Sequence, residues 1–194
     1  MDELANLHLG DCLEVLKSLP DASVDMVLTD PPYGIDFQSA WIKDKAKRKP
    51  KIIGDKETQI AFIPEIARIL KPTGAVAIFT RWDVQQKVID EMTACGMKPR
   101  NVLIWDKVVH GMGDLKRAFG SRYESAVFYS AKEFRFNGKR PTDIIKCTRV
   151  AASQLRHPNE KPIKLLESLI EPCTVEGGWC WIALWAVAAP AWPA

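Results

Sequence analysis

Val24-Asp25-Met26-Val27-Leu28-Thr29-Asp30-Pro31-Pro32-Tyr33 decides how this chain is read. The first six residues are an apolar run of strand type, and the next four set a carboxylate, two prolines and an aromatic ring at the strand's C-terminal end. Both prolines have a fixed φ and no N–H, and each restrains the residue before it, so the carbonyls of Asp30 and Pro31 are held outward as acceptors. An exocyclic amine on adenine or cytosine is a poor nucleophile because its lone pair is delocalised into the ring. Hydrogen bonds from its two N–H groups to the Asp30 carboxylate and the Pro31 carbonyl would favour a more tetrahedral nitrogen, and Tyr33 offers a stacking face to an extruded base. A strand followed by an ordinary Pro-Pro turn with a helix-capping Asp explains the same four residues. The flanking sequence decides between the two.

Working outward, strands alternate with helices. Leu4 to Leu9 reads as a strand, Cys12 to Leu19 as a short helix, and Val24 to Thr29 as the next strand. Ile60 to Leu70 has helical spacing and stops at Lys71-Pro72-Thr73-Gly74, before the buried-type strand Ala75 to Phe79. Trp82 to Cys95 is a helix closed by Gly96; Asn101 to Trp105 and Ser125 to Tyr129 are strands around a glycine-bearing loop; Pro162 to Ile170 is a helix with proline in its first turn. This order predicts an open, mainly parallel α/β sheet, with ligands beyond the C-terminal ends of its strands, where Asp30 falls.

With 194 residues and 47% hydrophobic content, the chain is sized for one domain with a real core, residues 1–194. The net charge of +3 is too mild to demand a polyanionic partner, although residues 43–51 concentrate positive charge. Cys12, Cys95, Cys147, Cys173 and Cys180 are odd in number and lack paired spacing, and no charged-then-apolar leader opens the chain, so reduced thiols in a cytoplasm are expected. Trp179 to Trp192 is apolar, but it is shorter than a membrane span needs and contains Pro190. Three histidines without ligand spacing predict no metal site.

Asp30-Pro31-Pro32-Tyr33, Gly10-Asp11-Cys12 some twenty residues earlier, and His157-Pro158-Asn159-Glu160-Lys161-Pro162 before an apolar helix together resemble the DNA N4/N6 amino-methyltransferases. The order matches their β group, whose tetrad lies near the N-terminus and whose cofactor glycine loop comes last. The resemblance, over roughly residues 5 to 178, implies a Rossmann-like methyltransferase sheet with an antiparallel strand. It also implies S-adenosylmethionine as methyl donor, no metal, double-stranded DNA as partner, and a cytoplasmic setting in a bacterium or phage restriction-modification system. Asp30, Pro31, Pro32 and Tyr33 would be catalytic. Asp11 and Cys12 would lie by the cofactor's adenine; His157, Asn159 and Lys161 would border its methionine end, with Asp30 between. Gly10-Asp11 also reads as a strand-to-helix turn with an N-cap, and Pro162 as a helix start; the same backbone can serve both purposes. Adenine N6 is favoured over cytosine N4 because the tetrad opens with Asp, where members acting on cytosine more often carry Ser. RNA and protein amide methyltransferases use similar tetrads that usually open with Asn.

The chain departs from the resemblance after Gly178. The family pattern asks for an apolar strand, Asp-Pro-Phe and a glycine-rich turn, but the sequence runs Trp179-Cys180-Trp181-Ile182-Ala183-Leu184-Trp185-Ala186-Val187 with no later glycine. Tryptophan has the single codon TGG, so the frame one base earlier forces Val-Leu-Asp over Trp179 to Ile182, and a glycine further on. The expectation is a reading-frame slip near Gly178 that makes residues 179–194 an atypical tail. A gene sequence without a Gly-x-Gly-encoding overlap contradicts it. The tail is apolar and β-prone enough to take the central strand's slot, yet it lacks the glycines that allow close approach to a ligand. A sheet incomplete in its cofactor half is therefore expected, with weakened activity, or a catalytically dead nucleic-acid-binding remnant, or exposed edges covered by homodimerisation.

Two basic segments could follow a phosphate backbone: Lys45, Lys47, Arg48 and Lys49 just after the tetrad, and Lys116, Arg117 and Arg122 around the loop from His110 to Ser121. Solvated loops account for the same charges. His110 reads as a loop residue, and the phenyl rings of Phe128, Phe134 and Phe136 as core or rim packing.

Overall fold

The computed structural model describes residues 7–8, 10–34, 58–111, 115–151, 154–155 and 160–184. Its strands are β1 Val24–Asp30, β2 Leu70–Thr80, β3 Asn101–Asp106, β4 Tyr123–Ser130, β5 Ile144–Lys146 and β6 Cys180–Leu184. The helices are α1 Cys12–Ser18, α2 Ile63–Ile69, α3 Gln85–Ala94 and α4 Ile163–Ile170. One sheet forms in the order β5-β3-β4-β2-β1-β6. β1 is parallel to β2 and β6, β3 is parallel to β5, and β4 runs antiparallel between β2 and β3, as the expected mainly parallel sheet with an antiparallel strand requires.

Period-two alternation sorts the side chains into two cores. Val27, Val76, Ile78 and Val127 face Leu16 of α1, Ile63, Ile66 and Ile69 of α2, and Val88 and Met92 of α3. Met26, Leu28, Ala75, Ala77, Phe79, Trp105, Ala126 and Phe128 face Leu165 and Leu169 of α4, with Phe134 beside them. Helices therefore cover both faces, and continuous apolar runs are what doubly covered strands need. Asp30 has the parity of Met26 and Leu28, so it stands on the α4 face.

The boundaries differ from the sequence pattern where the sheet captures chain ends. α2 stops at Ile69 because Leu70 already pairs with Val24; the register then jumps to Met26 opposite Ala75, bulging Lys71-Pro72-Thr73-Gly74 out of the ladder. Gly74 is required there, since a Cβ would sit 2.7 Å from Leu70 Cδ1 and 3.0 Å from the Asp25 carbonyl oxygen. α3 starts at Gln85 rather than Trp82, and Gly96, with φ +79°, follows its end. Leu7 and His8 belong to no strand, and the rest of the segment expected as a strand from Leu4 to Leu9 lies outside the described residues apart from them.

The tail does enter the sheet. Cys180 to Leu184 pairs in parallel with Met26 to Asp30, so β1 has a neighbour on each side. Asp25 fastens the entry: its carboxylate Oδ2 accepts from Trp179 N–H at 2.9 Å and from Lys71 Nζ at 2.7 Å, while Asp25 N–H donates to the Trp179 carbonyl at 2.9 Å. All five cysteines are free thiols. Among the described residues no helix is long and apolar enough to cross a membrane.

Candidate functional site

Four strands bring side chains to one place by register alone. Trp105 pairs opposite Glu124, and Phe79 opposite Ala126, so Phe79, Trp105 and Glu124 share the α4 face near the C-terminal ends of the parallel strands, the end at which β1 delivers Asp30. Lys161, just before Pro162 caps α4, drops its side chain into this group. Lys161 Nζ lies 2.6 Å from Asp30 Oδ2 and 3.0 Å from Glu124 Oε2. It also stands 4.9 Å from the centroid of Phe79 and 5.9 Å from that of Trp105. Its side chain is only 7% exposed, and those of Asp30 and Glu124 are 14% and 24% exposed.

A buried ammonium survives only if charge and hydrogen bonds replace its water. Burial pushes Lys161 down, yet Asp30 first and then Glu124 outweigh it and hold the ammonium above its ordinary range. Burial likewise pushes Glu124 up, and Lys161 followed by Lys107 overrides this, leaving its carboxyl below the usual value. Lys107 Nζ is 2.5 Å from Glu124 Oε1 and 5.2 Å from the Trp105 ring centroid. Glu124 Oε2 touches Lys161 as an ion pair but outside hydrogen-bond geometry, so that oxygen has no hydrogen-bond partner among the described residues.

Pro31 and Pro32 are buried, and the turn they make is pinned by Gln59 N–H donating to the Pro32 carbonyl at 3.3 Å and Thr58 Oγ1–H to the Tyr33 carbonyl at 3.3 Å. The Tyr33 hydroxyl donates to Asp30 Oδ1. Burial, then the Asp30 and Glu124 charges, push this phenol far above its ordinary range, so it is a donor at every physiological pH. Tyr33 thus meets Asp30 through its hydroxyl, where the sequence suggested a stacking face. Both Asp30 oxygens are engaged from within the chain, because a largely buried carboxylate needs donors.

Of the residues expected at the site, the fold joins Asp30, Pro31, Pro32, Tyr33 and Lys161. Lys161, expected along a cofactor's methionine end, closes on the Asp30 carboxylate. Asp11 caps α1, accepting from Leu13 N–H at 2.8 Å, which is the capping role its position allowed. Burial first, then the Asp11 charge, raise the Cys12 thiol to about 11. Arg122, exposed at the surface, makes a two-point pair with Asp106 at 2.6 and 2.7 Å, which lowers the Asp106 carboxyl to about 2. Lys116 and Arg117 are exposed. His157, Asn159, Lys45, Lys47, Arg48 and Lys49 lie outside the described residues. Glu124 and Lys107 are the members that sequence reasoning missed; the signal available was a carboxylate two positions ahead of the apolar alternation of β4.

A recess beside Asp30 and Lys161 is walled by Leu28, Thr29, Phe79, Leu166 and Ile182 and holds about 190 Å³ of space open to solvent. Apolar walls beside a carboxylate suit a ligand that is part hydrocarbon and part cation. Among the described residues no cluster of His, Cys, Asp or Glu could hold a metal ion.

Residues 24–181 match the sequence profile of the N6/N4 family described as DNA methylase. The chain is 30% identical over 147 residues to the type II methyltransferase M.BglII of Bacillus subtilis, an alignment covering 69% of this chain and 37% of that protein. In fold it is similar to M1.HpyAVI in its complex with SAM, with a TM-score of 0.65 at 20% identity, covering 90% of this chain and 80% of that one. The cytosine-N4-specific PvuII DNA methyltransferase gives the same TM-score at 15% identity over 91% of this chain and 80% of its own.

Proposed function

We propose, since this chain belongs to the N6/N4 family of DNA methylases, that it transfers a methyl group from S-adenosylmethionine to the exocyclic amine of a base extruded from double-stranded DNA. The observation that carries this reading is Asp30, set on two buried prolines at the end of β1 with its carboxylate in a cluster of donors. The cofactor's sulfonium would supply an electrophilic methyl. The chain's own part is to hold the amine. One amine N–H takes Asp30 Oδ1 from the Tyr33 hydroxyl, the second takes the Pro31 carbonyl, and the nitrogen lone pair is freed from the ring. The Tyr33 ring, released from Asp30, is then free to stack on the base. Lys161 stays on Oδ2 and keeps the carboxylate oriented. Asp30 Oδ1 is also the acceptor for the proton that the methylated amine must shed.

Adenine N6 is the favoured target because the tetrad opens with Asp. Low turnover is expected, because the stretch Trp179 to Val187 directly after Gly178 holds no glycine to let backbone approach a cofactor. A DNA-binding remnant without turnover is the second reading, favoured by the same glycine-free stretch. Calorimetry with S-adenosylmethionine and prolonged incubation of DNA with labelled cofactor separate the two, and mass analysis of the digested nucleosides distinguishes N6-methyladenine from N4-methylcytosine. Asp30→Ala should cut methyl transfer by at least about a hundredfold and leave cofactor affinity within about twofold, because the lost acceptor acts mainly in the transition state. Labelled-methyl incorporation near the parental level in that variant overturns the assignment.

A further inference from the structure

Lys107, Glu124, Lys161 and Asp30 form an alternating line of charges with successive contacts of 2.5, 3.0 and 2.6 Å. Two carboxylates on one ammonium leave an excess negative charge, and Lys107 on Glu124 Oε1 balances it. We propose that Glu124, anchored by Lys107, is a positioning residue that shares the Lys161 ammonium with Asp30 and so sets how strongly Asp30 accepts the substrate amine. The inference rests on the reading of Asp30 as amine acceptor and adds a control that the tetrad lacks. An ammonium committed wholly to Asp30 would draw down the charge that the amine needs. Divided between two carboxylates, it orients Asp30 and leaves Oδ1 basic.

The geometry supports division rather than a private pair. Lys161 has three N–H donors. It contacts carboxylates from β1 and β4 and stands over the Phe79 face. Glu124 Oε2, short of a hydrogen-bond donor, keeps pulling on the ammonium. Among the described residues, the charged and titratable groups acting around Lys161 include Asp30 and Tyr33 from β1 and its turn, Glu124 from β4, and Lys107 after β3, with Arg81 after β2 acting on Tyr33. Among these, Glu124 is the one carboxylate besides Asp30 that pulls on the ammonium.

The test uses the full chain, with Glu124→Gln, Glu124→Asp and Lys107→Met. The Asp30 Cγ and Lys161 Nζ nuclear magnetic resonance signals are followed at neutral pH, with thermal unfolding as the control for folding. Glu124→Gln should move both signals as the ammonium turns wholly onto Asp30, and Glu124→Asp should restore most of the shift. Lys107→Met, which frees Glu124 for Lys161, should move the Asp30 signal the opposite way and serves as the second arm if Glu124→Gln does not fold. Single-turnover methyl transfer at saturating cofactor should fall about tenfold in Glu124→Gln with cofactor affinity within about twofold, the effect of weakening one charge-assisted hydrogen bond. Parental signal positions in Glu124→Gln, or shifts of the same sign in Glu124→Gln and Lys107→Met, overturn the proposal. Failure of the Asp30 reading shows itself elsewhere, as parental methyl transfer by Asp30→Ala.

Discussion

Replacing Lys161 by methionine keeps a long unbranched side chain and deletes the ammonium that four strands converge on. Two carboxylates, 14% and 24% exposed in their side chains, would then face each other without their shared counter-charge. Removing one partner of a buried ion pair costs ~3–5 kcal/mol. The low end applies here, because Glu124 keeps Lys107 and Asp30 keeps the Tyr33 hydroxyl. About 3 kcal/mol should lower the melting temperature by roughly 6–12 °C in a chain of this size. The pH dependence sharpens the test. Glu124 has its folded pKa depressed below 4.5, so its pairing stabilises the fold above that pH and is lost as pH falls through the folded value. Lys161 has its folded pKa raised above 10.5, so its contribution is complete below that pH and is lost as pH rises through the folded value. The gap between wild type and Lys161→Met should therefore be widest between about pH 5 and pH 10 and narrow on both sides. Thermal unfolding followed by circular dichroism at pH 7, on stepwise acidification and above pH 10.5 measures it. A loss under about 1 kcal/mol at pH 7, or a gap that fails to narrow as the pH falls well below 4.5, would refute the argument that charge rather than packing holds Lys161 in place.

Trp181→Phe should be neutral or stabilising by up to ~1 kcal/mol in chemical denaturation, because it removes a buried N–H without an acceptor while retaining an aromatic ring against the core; a loss above about 2 kcal/mol would mean that Nε1 is satisfied. Burial raises the thiols of Cys173 and Cys180 to about 12, with the neighbouring Cys173 adding to the Cys180 shift. Both should resist iodoacetamide at pH 8 in the native protein and react once it is unfolded; mass spectrometry showing prompt native labelling would contradict their burial. Changing Lys47, Arg48 and Lys49 together to alanine should weaken DNA binding and flatten its salt dependence without altering sequence preference. An unchanged slope of affinity against salt would return that segment to a solvated loop.

How much of this was legible in the sequence depends on the range of the interaction. β1 and Asp30 were readable because an apolar run and a Pro-Pro pair are local signals, and the parity that puts Asp30 on the α4 face follows from counting along one strand. The end of α2 was not readable, because Leu70 is taken by Val24 some 46 positions earlier, and only that pairing makes a bulge of Lys71 to Gly74. β5, three residues long, carries no period at all and exists because Ile144 to Lys146 can hydrogen-bond the open edge of β3. Lys161 was legible as a site residue but not as the partner of Asp30, 131 positions away.

Glu124 is the most instructive case. In sequence it is an acid at the start of an apolar strand, a place where a solvated edge charge would be ordinary. Its significance arises from two pairings that no local pattern encodes: antiparallel register with β3 sets it beside Trp105, and the descent of Lys161 from α4 closes over both. The tail illustrates the opposite limit. Trp179 to Leu184 carries enough apolar, β-prone surface to be drawn into the slot beside β1, and Asp25 supplies a backbone N–H donor and a carboxylate acceptor that fix its start. Hydrophobic pattern is sufficient to place a strand. Placing a ligand asks for more, because a backbone that must pass close to a cofactor needs glycine at defined positions, and a buried indole N–H needs an acceptor. β6 meets the demand of the fold by pairing in register with Met26 to Asp30, and the stretch from Trp179 to Leu184 holds no glycine at which a backbone could make such an approach.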